Sequence, residues 1–407
     1  MTDTHWSLIT SPWTLQPDTL LGAALLALLA ALLGEVVWRV LRWPRMLGYG
    51  MVGTALAFAG QSASGNEPAL RLAIDAALAM LLFEAGARLN LRWLVRNPWL
   101  LASSAAEAVL TAVAVWWALR SLAVPPEAAA PLAIIASAVS PVVLQRVAGE
   151  LHAAGQVTER LLALGALNTL YAILALQLFS AGLFLSDPRT WLEALSPVLF
   201  SFFGSILVGA ALGEGLTLIS RRLDLRDESA LVLVLAAVLL ALVVAKTLQL
   251  SALLVPLLAG IWLRNRSERP WVWPRHFGSA GSVLVMVMFV AVGSAWHLQA
   301  LGATLGLAVV LVLTRAGAKL LAVLALARPS GLGIGQALCL GVGLLPMSGT
   351  AWILGLDFAA RHPSAGAQAM PVLLTVLGLL ELAAPLVVMA CLRAAGEIEV
   401  QRRAKPI

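Results

Sequence analysis

Apolar runs of about 18 or more residues recur from one end of the chain to the other, separated by short polar connections. Their hydrophobic lengths predict about thirteen spans, near 19–40, 46–62, 69–88, 98–118, 129–151, 158–184, 190–219, 227–245, 250–264, 278–297, 300–327, 332–356 and 368–392. Several are shorter than the roughly 20 residues of a perpendicular helix, as tilted, re-entrant or broken helices are. Two spans are interrupted by small polar residues and proline. One reads Ser137-Ala-Val-Ser140-Pro141, the other Leu345-Pro346-Met347-Ser348-Gly349-Thr350. Broken backbone at bilayer depth persists where it lines a polar cavity, and a matched pair of breaks points to a carrier's binding site.

The expected fold is an all-α polytopic membrane protein. The Met80–Leu91 segment of span three is similar to Met288–Leu298 in span ten, and the breaks fall in spans five and twelve. Both offsets are seven spans. An odd offset inverts the second half, which gives a six-plus-one-plus-six inverted repeat with span seven as linker. The expected organisation is an N-terminal segment 1–18, repeat one at 19–184, a linker helix at 190–219, repeat two at 227–392 and a tail at 393–407.

Composition sharpens this picture. The chain is 60% hydrophobic and 12% charged, about half the charged fraction of a soluble domain. Twenty of its basic residues fall in loops and span ends on one side and five on the other. That asymmetry follows the positive-inside rule, placing the N-terminus outside and the C-terminus in the cytoplasm. It accounts for the basic balance without a nucleic-acid partner. The first 18 residues lack a basic n-region, so no cleaved signal peptide is expected. Cys339 and Cys391 lie in apolar spans with no disulfide or zinc spacing.

Eight ionisable residues fall inside spans: Glu35, Asp75, Glu84, Glu107, Glu214, Arg315, Lys319 and Glu381. Each is costly there and a functional candidate. Glu35 and Glu214 sit near span ends, where pairing with Arg39 or Arg221 gives them a structural role, and Asp75 lies within reach of water. Glu84 and Lys319 are expected at similar depth, with Asn168 level with them, so an ion pair with an amide neighbour is predicted; a register-fixing salt bridge is the plainer alternative. Glu107 and Glu381 fall near the midplane as proton-carrier candidates, with Arg315 expected to pair with one of them. The alternative for each acid is an interhelical hydrogen bond. Ser140, Pro141, Asn168, Thr169, Ser348 and Thr350 supply hydroxyl, amide and freed carbonyl oxygens, the ligand types of a hard monovalent cation. No catalytic triad, metal cluster or phosphate loop is present, so an enzyme is not expected and no cofactor is implied.

These residues resemble the monovalent cation:proton antiporter superfamily over nearly the full membrane length. Trp43-Pro44-Arg45 through Gly53 is similar to its second-span motif, Leu82-Phe83-Glu84-Ala-Gly86 to its third, and Ser251 through Gly260 to its glycine-ended ninth. Ala136 through Gln145 sits where the family carries "TDPVAV" or "SSTAVVLQ". The resemblance implies thirteen spans, a dimer-forming scaffold and a mobile core around crossed discontinuous helices. It implies sodium or potassium exchanged for protons by alternating access, a homodimer, and the bacterial inner membrane.

The departures are specific. Family members usually carry an aspartate in the pair where this chain has Asn168-Thr169. Ser140 stands at the aspartate of "TDP", and Ser348-Gly349-Thr350 replaces the Arg-Gly or Gly-Glu common in span twelve. Asn168, Glu84 and Lys319 match the polar trio of many relatives. A carrier of the same fold for an uncharged or anionic solute, or a homologue that transports nothing, is therefore the alternative.

Overall fold

The computed structural model describes residues 19–60, 68–183, 191–222, 228–266, 277–296 and 300–398. The segment 1–18, the end of the tail from 399, and His297 and Leu298 of the internal similarity lie outside the described residues.

Among the described residues the chain is almost wholly helical. The first group of helices comprises α1 (Thr19–Val36), which continues into a π-helical turn over Val37–Leu41, α2 (Arg45–Phe58) and α3 (Pro68–Arg88). A short α4 (Leu91–Arg96), capped by the Asn90 side chain on the Trp93 amide, leads into α5 (Pro98–Ser121). Then follow α6 (Pro126–Ser137), α7 (Pro141–Glu150), α8 (Gln156–Leu183) and α9 (Trp191–Arg222). The remainder are α10 (Glu228–Thr247), α11 (Leu254–Arg266), α12 (Phe277–Ser294), α13 (Leu301–Ala325), α14 (Ile334–Gly343), α15 (Gly349–Arg361) and α16 (Pro363–Ala394). Seven helical segments are long and apolar enough to cross a membrane, among the described residues. Leu29, Phe203, Leu207 and Leu313 point outward from the bundle and are more than half exposed, a surface suited to lipid rather than water.

The helices pack as two groups. In one, α2 lies between α1 and α12, while α3 and α9 flank α11. Gly86 and Gly260 make the α3–α11 contact possible. A Cβ added at Gly86 would lie 2.1 Å from the Leu257 carbonyl oxygen, and one at Gly260 2.1 Å from that of Phe83. Small residues let backbones approach where lipid offers no hydrophobic drive to pack helices. In the other group, α5 packs on α6 and α13, and α16 touches α6, α7, α13, α14 and α15.

Both interruptions read from the sequence are breaks in the helical backbone. Helix α6 stops at Ser137, three residues run extended, and α7 starts at Pro141. Proline fixes the first helical φ and forces the residue before it out of the α region. Ser140 duly sits at φ −78°, ψ 104° and accepts the Val143 amide at 3.5 Å. Pro346 interrupts the second span likewise, between α14 and α15.

Candidate ion-binding site

The two breaks meet. The Ser140 amide donates to the Pro346 carbonyl at 2.8 Å, and the Ser140 and Ser348 hydroxyls lie 2.8 Å apart. At this point the N-terminal ends of α7 and α15 converge, with their partial positive charge. Thr350, one residue into α15, is 1% exposed, and its hydroxyl has no hydrogen-bond partner.

The opposite dipole ends converge on Arg315 of α13. Its Nε donates to the Ala136 carbonyl at 2.6 Å, and its Nη2 donates to Ala138 at 2.7 Å, Leu344 at 3.4 Å and Pro346 at 3.5 Å. The Leu345 carbonyl takes Nη1. One buried guanidinium thus takes five carbonyls around the two breaks, sharing that of Pro346 with the Ser140 amide, and its charge offsets two helix C-termini. The expected acid partner of Arg315 is absent from these contacts. The reason is geometric: the breaks supply five carbonyl acceptors within reach of one five-donor group.

One helical turn further along α13, Lys319 pairs with Glu107 of α5 and donates to the Ser137 carbonyl at 3.1 Å. The other Glu107 oxygen accepts from the Asn168 amide group, and Asn168 Oδ1 accepts the Ser104 hydroxyl at 3.1 Å. Thr111 donates to Glu107 Oε1 at 3.3 Å. Thr169 bridges the Val139 and Gly165 carbonyls, at 2.8 and 2.9 Å, tying α8 to the first break. Glu107, Asn168, Thr169, Arg315 and Lys319 each round to 0% exposed.

The expected Glu84–Lys319 pair is therefore corrected. Glu84 of α3 pairs instead with Arg88 and Arg146, both at 2.9 Å. Depth along a span does not say which helices are neighbours, and α13 packs directly on α5. Ser104 and Thr111, missed in the sequence, were marked by spacing. Positions 104, 107 and 111 share one helical face, so two hydroxyls flank an acid on an otherwise apolar span. Pro141 opens α7 beside Ser140 and offers no side-chain polar atom. The remaining span acids pair near the ends of the bundle: Glu35 with Arg39 and Arg45, Asp75 with Lys246, and Glu214 with Arg266. Glu381 of α16 is buried, and neither of its carboxyl oxygens has a hydrogen-bond partner.

Two cavities lie toward opposite ends of α3 and α8. One of about 400 Å³ is lined by Arg71, Asp75, Gln177 and Lys246 among others. The second, of about 830 Å³, is lined by Arg88, Trp93, Glu159 and Arg160 among others. Asn168 lies between them along α8, and neither cavity is lined by Asn168, Glu107 or Lys319.

A buried acid, amide and lysine thus lie beside two joined helix breaks, in a fold shared with known proteins. Residues 24–391 match the family described as "Sodium/hydrogen exchanger, transmembrane". The chain belongs to the sodium/hydrogen exchanger family. That places it within the monovalent cation:proton antiporter superfamily. Two solved structures share this exchanger fold. The sodium proton antiporter MjNhaP1 of Methanocaldococcus jannaschii at pH 8 superposes with a TM-score of 0.68 at 17% identity, covering 92% of this chain and 97% of that one. An electron-microscopy structure of the same antiporter gives 0.71 at 19% identity, covering 96% and 100%. No curated protein matches this exchanger-family chain.

Proposed function

We propose that the chain is a secondary transporter exchanging sodium or potassium for protons, with Glu107 taking the place of the family's missing aspartate. The observation that carries this reading is Glu107 itself. It comes from α5, a different helix from the Asn168-Thr169 pair, yet its carboxylate joins Asn168 and Lys319 beside the first break. An arriving cation would compete with the Lys319 ammonium for Glu107, and the lysine released from its partner is then disfavoured as a buried charge and loses its proton. Ser140, Asn168, Thr169, Ser348 and Thr350 are the neutral oxygen donors nearby, and Pro141 fixes the backbone that presents Ser140.

The finer architecture belongs to the same reading. Counting α6 with α7 and α14 with α15 as single broken spans, and setting the short α4 aside, leaves thirteen spans among the described residues. Breaks in the fifth and twelfth of these support the reading of an inverted repeat, with α9 as linker between repeats at 19–184 and 227–392. The basic asymmetry favours an N-terminus outside and a C-terminus in the cytoplasm of a bacterial inner membrane. The exposed apolar faces of α1 and α9 suit lipid or a homodimer partner. Alternating access would open the site in turn toward the two cavities.

A second reading, a carrier for an anionic or uncharged solute, draws on the Ser140–Ser348 contact. Two helix N-termini converge there on hydroxyls with no acid between them, which is an anion-favouring arrangement. The test that separates the two uses the full chain in proteoliposomes under an imposed pH gradient. Sodium, potassium or lithium should collapse the gradient, and Glu107→Gln should abolish this. Indifference to all three ions would leave the second reading in its place.

A further inference from the structure

We propose that Glu381 is a second proton-binding site, separate from the Glu107 pair and set on the seam between the two helix groups. The residue is 2% exposed, and both carboxyl oxygens are buried without a partner. A second feature coincides with the first. Pro385 lies four residues on and has no N–H, so the helical partner of the Glu381 backbone carbonyl is missing. Two partnerless carboxyl oxygens and a backbone carbonyl without its i+4 donor therefore belong to one residue. Across the seam α2 presents Gly50, where an added Cβ would stand 3.4 Å from the Glu381 Cγ. The carboxyl thus faces bare backbone rather than a counter-charge.

Most charged groups on the neighbouring helices are engaged elsewhere. On α2, Arg45 binds Glu35 at 3.0 Å, and its backbone N–H goes to Glu150 of α7; Tyr49 is the other titratable group there. Arg146 of α7 is held by Glu84. On α13, Arg315 holds carbonyls and Lys319 holds Glu107. Asp357 of α15 meets Arg71 at 3.5 Å. Glu127 of α6, Cys339 of α14 and Arg361 of α15 make no hydrogen bond to the carboxyl, and α12 carries no ionisable residue. On α16 itself, Arg393 donates to the Arg42 carbonyl, and Cys391 is a free thiol.

An ionised carboxylate in such a place has nothing to offset its desolvation. A bound proton removes the charge and turns one orphan oxygen into a donor, while the freed backbone carbonyl is an acceptor of the kind that donor needs. Position gives the proton a use. Helix α2 packs with α1 and α12, whereas α16 packs with the helices that form the crossing. A relative shift of the two groups would alter what Glu381 faces. This last step rests on the exchanger reading; the proton site does not.

Infrared difference spectra of the full chain in lipid, recorded between low and high pH, test the site. A carboxylic-acid carbonyl band should titrate in the wild type, vanish in Glu381→Gln and return displaced in Glu381→Asp. A titrating band that Glu381→Gln leaves unchanged overturns the proposal. Should Glu381→Gln fail to fold, the band position in Glu381→Asp decides instead: displaced supports the site, unmoved overturns it. In transport, Glu381→Gln should still bind sodium but shift the pH profile of exchange; a profile superimposing on the wild type overturns the use of this proton in exchange, while the infrared band decides the site. If the wild type moves no cation, the exchanger reading fails while the infrared result still decides Glu381.

Discussion

Lys319 Nζ and Glu107 Oε1 form an ion pair in which neither side chain retains exposed surface. Taking two charges out of water is expensive, and the pair is supported by Asn168 and Thr111 on the carboxylate and the Ser137 carbonyl on the ammonium. Removing one partner strands the other. Lys319→Ala should lower stability by about 3–5 kcal/mol, read as a fall in the thermal midpoint in detergent. Glu107→Gln with Lys319→Gln should recover much of that loss, since neither charge is left alone. A double variant as unstable as Lys319→Ala would show that the pair's charges do not set the cost.

Arg315 makes a different demand. It spans carbonyls from both breaks, Ala136 and Ala138 on one side and Leu344, Leu345 and Pro346 on the other. Lysine keeps the charge but has three donors on a single atom and cannot reach all five. Arg315→Lys should therefore be destabilised by about 1–3 kcal/mol for each carbonyl left unmet. Arg315→Met, which also removes the charge opposite two helix C-termini, should be worse. Equal midpoints for Arg315→Lys and the wild type would refute the carbonyl-clamp role.

The breaks were legible in the sequence because proline and small polar residues act locally, through the φ of Pro141 and the unpaired carbonyls around Pro346. The burial of Glu107, Lys319 and Glu381 was legible for the same kind of reason, as each sits in an apolar run. Partnership was not. Glu84 and Lys319 share an apparent depth, but which helices touch depends on packing between distant segments, and α5 rather than α3 lies against α13. Arg315 shows the other limit. Its partners are backbone atoms, and a sequence carries no mark of which carbonyls a distant break will release.

The α3–α11 contact predicts a steric threshold. With 2.1 Å between an added Gly86 Cβ and the Leu257 carbonyl, alanine already forces the helices apart, and valine forces them further. Gly86→Ala should reduce the folded yield after membrane extraction, and Gly86→Val should reduce it more. Gly22, whose added Cβ meets nothing within 4 Å, is the control and should tolerate alanine. Comparable yields for Gly86→Val and the wild type would rule out the close approach.

The chain after α16 turns back onto the start of α8. Glu397 accepts the Val157 and Thr158 amides and the Thr158 hydroxyl, each at 2.7 Å, and its carbonyl takes the Ala154 amide at 2.9 Å. A carboxylate at a helix N-terminus satisfies orphan amides and meets the positive end of the dipole. Gly155 leaves the room, since a Cβ there would sit 2.3 Å from the Glu397 carboxyl carbon. Glu397→Ala should cost about 0.5–2 kcal/mol, the range for losing a helix cap. Hydrogen exchange should therefore accelerate at Val157 and Thr158 ahead of the middle of α8. Glu397→Gln should retain part of the protection through its single amide oxygen. Unchanged exchange at Val157 and Thr158 in Glu397→Ala would mean that the α8 amides have another partner in solution.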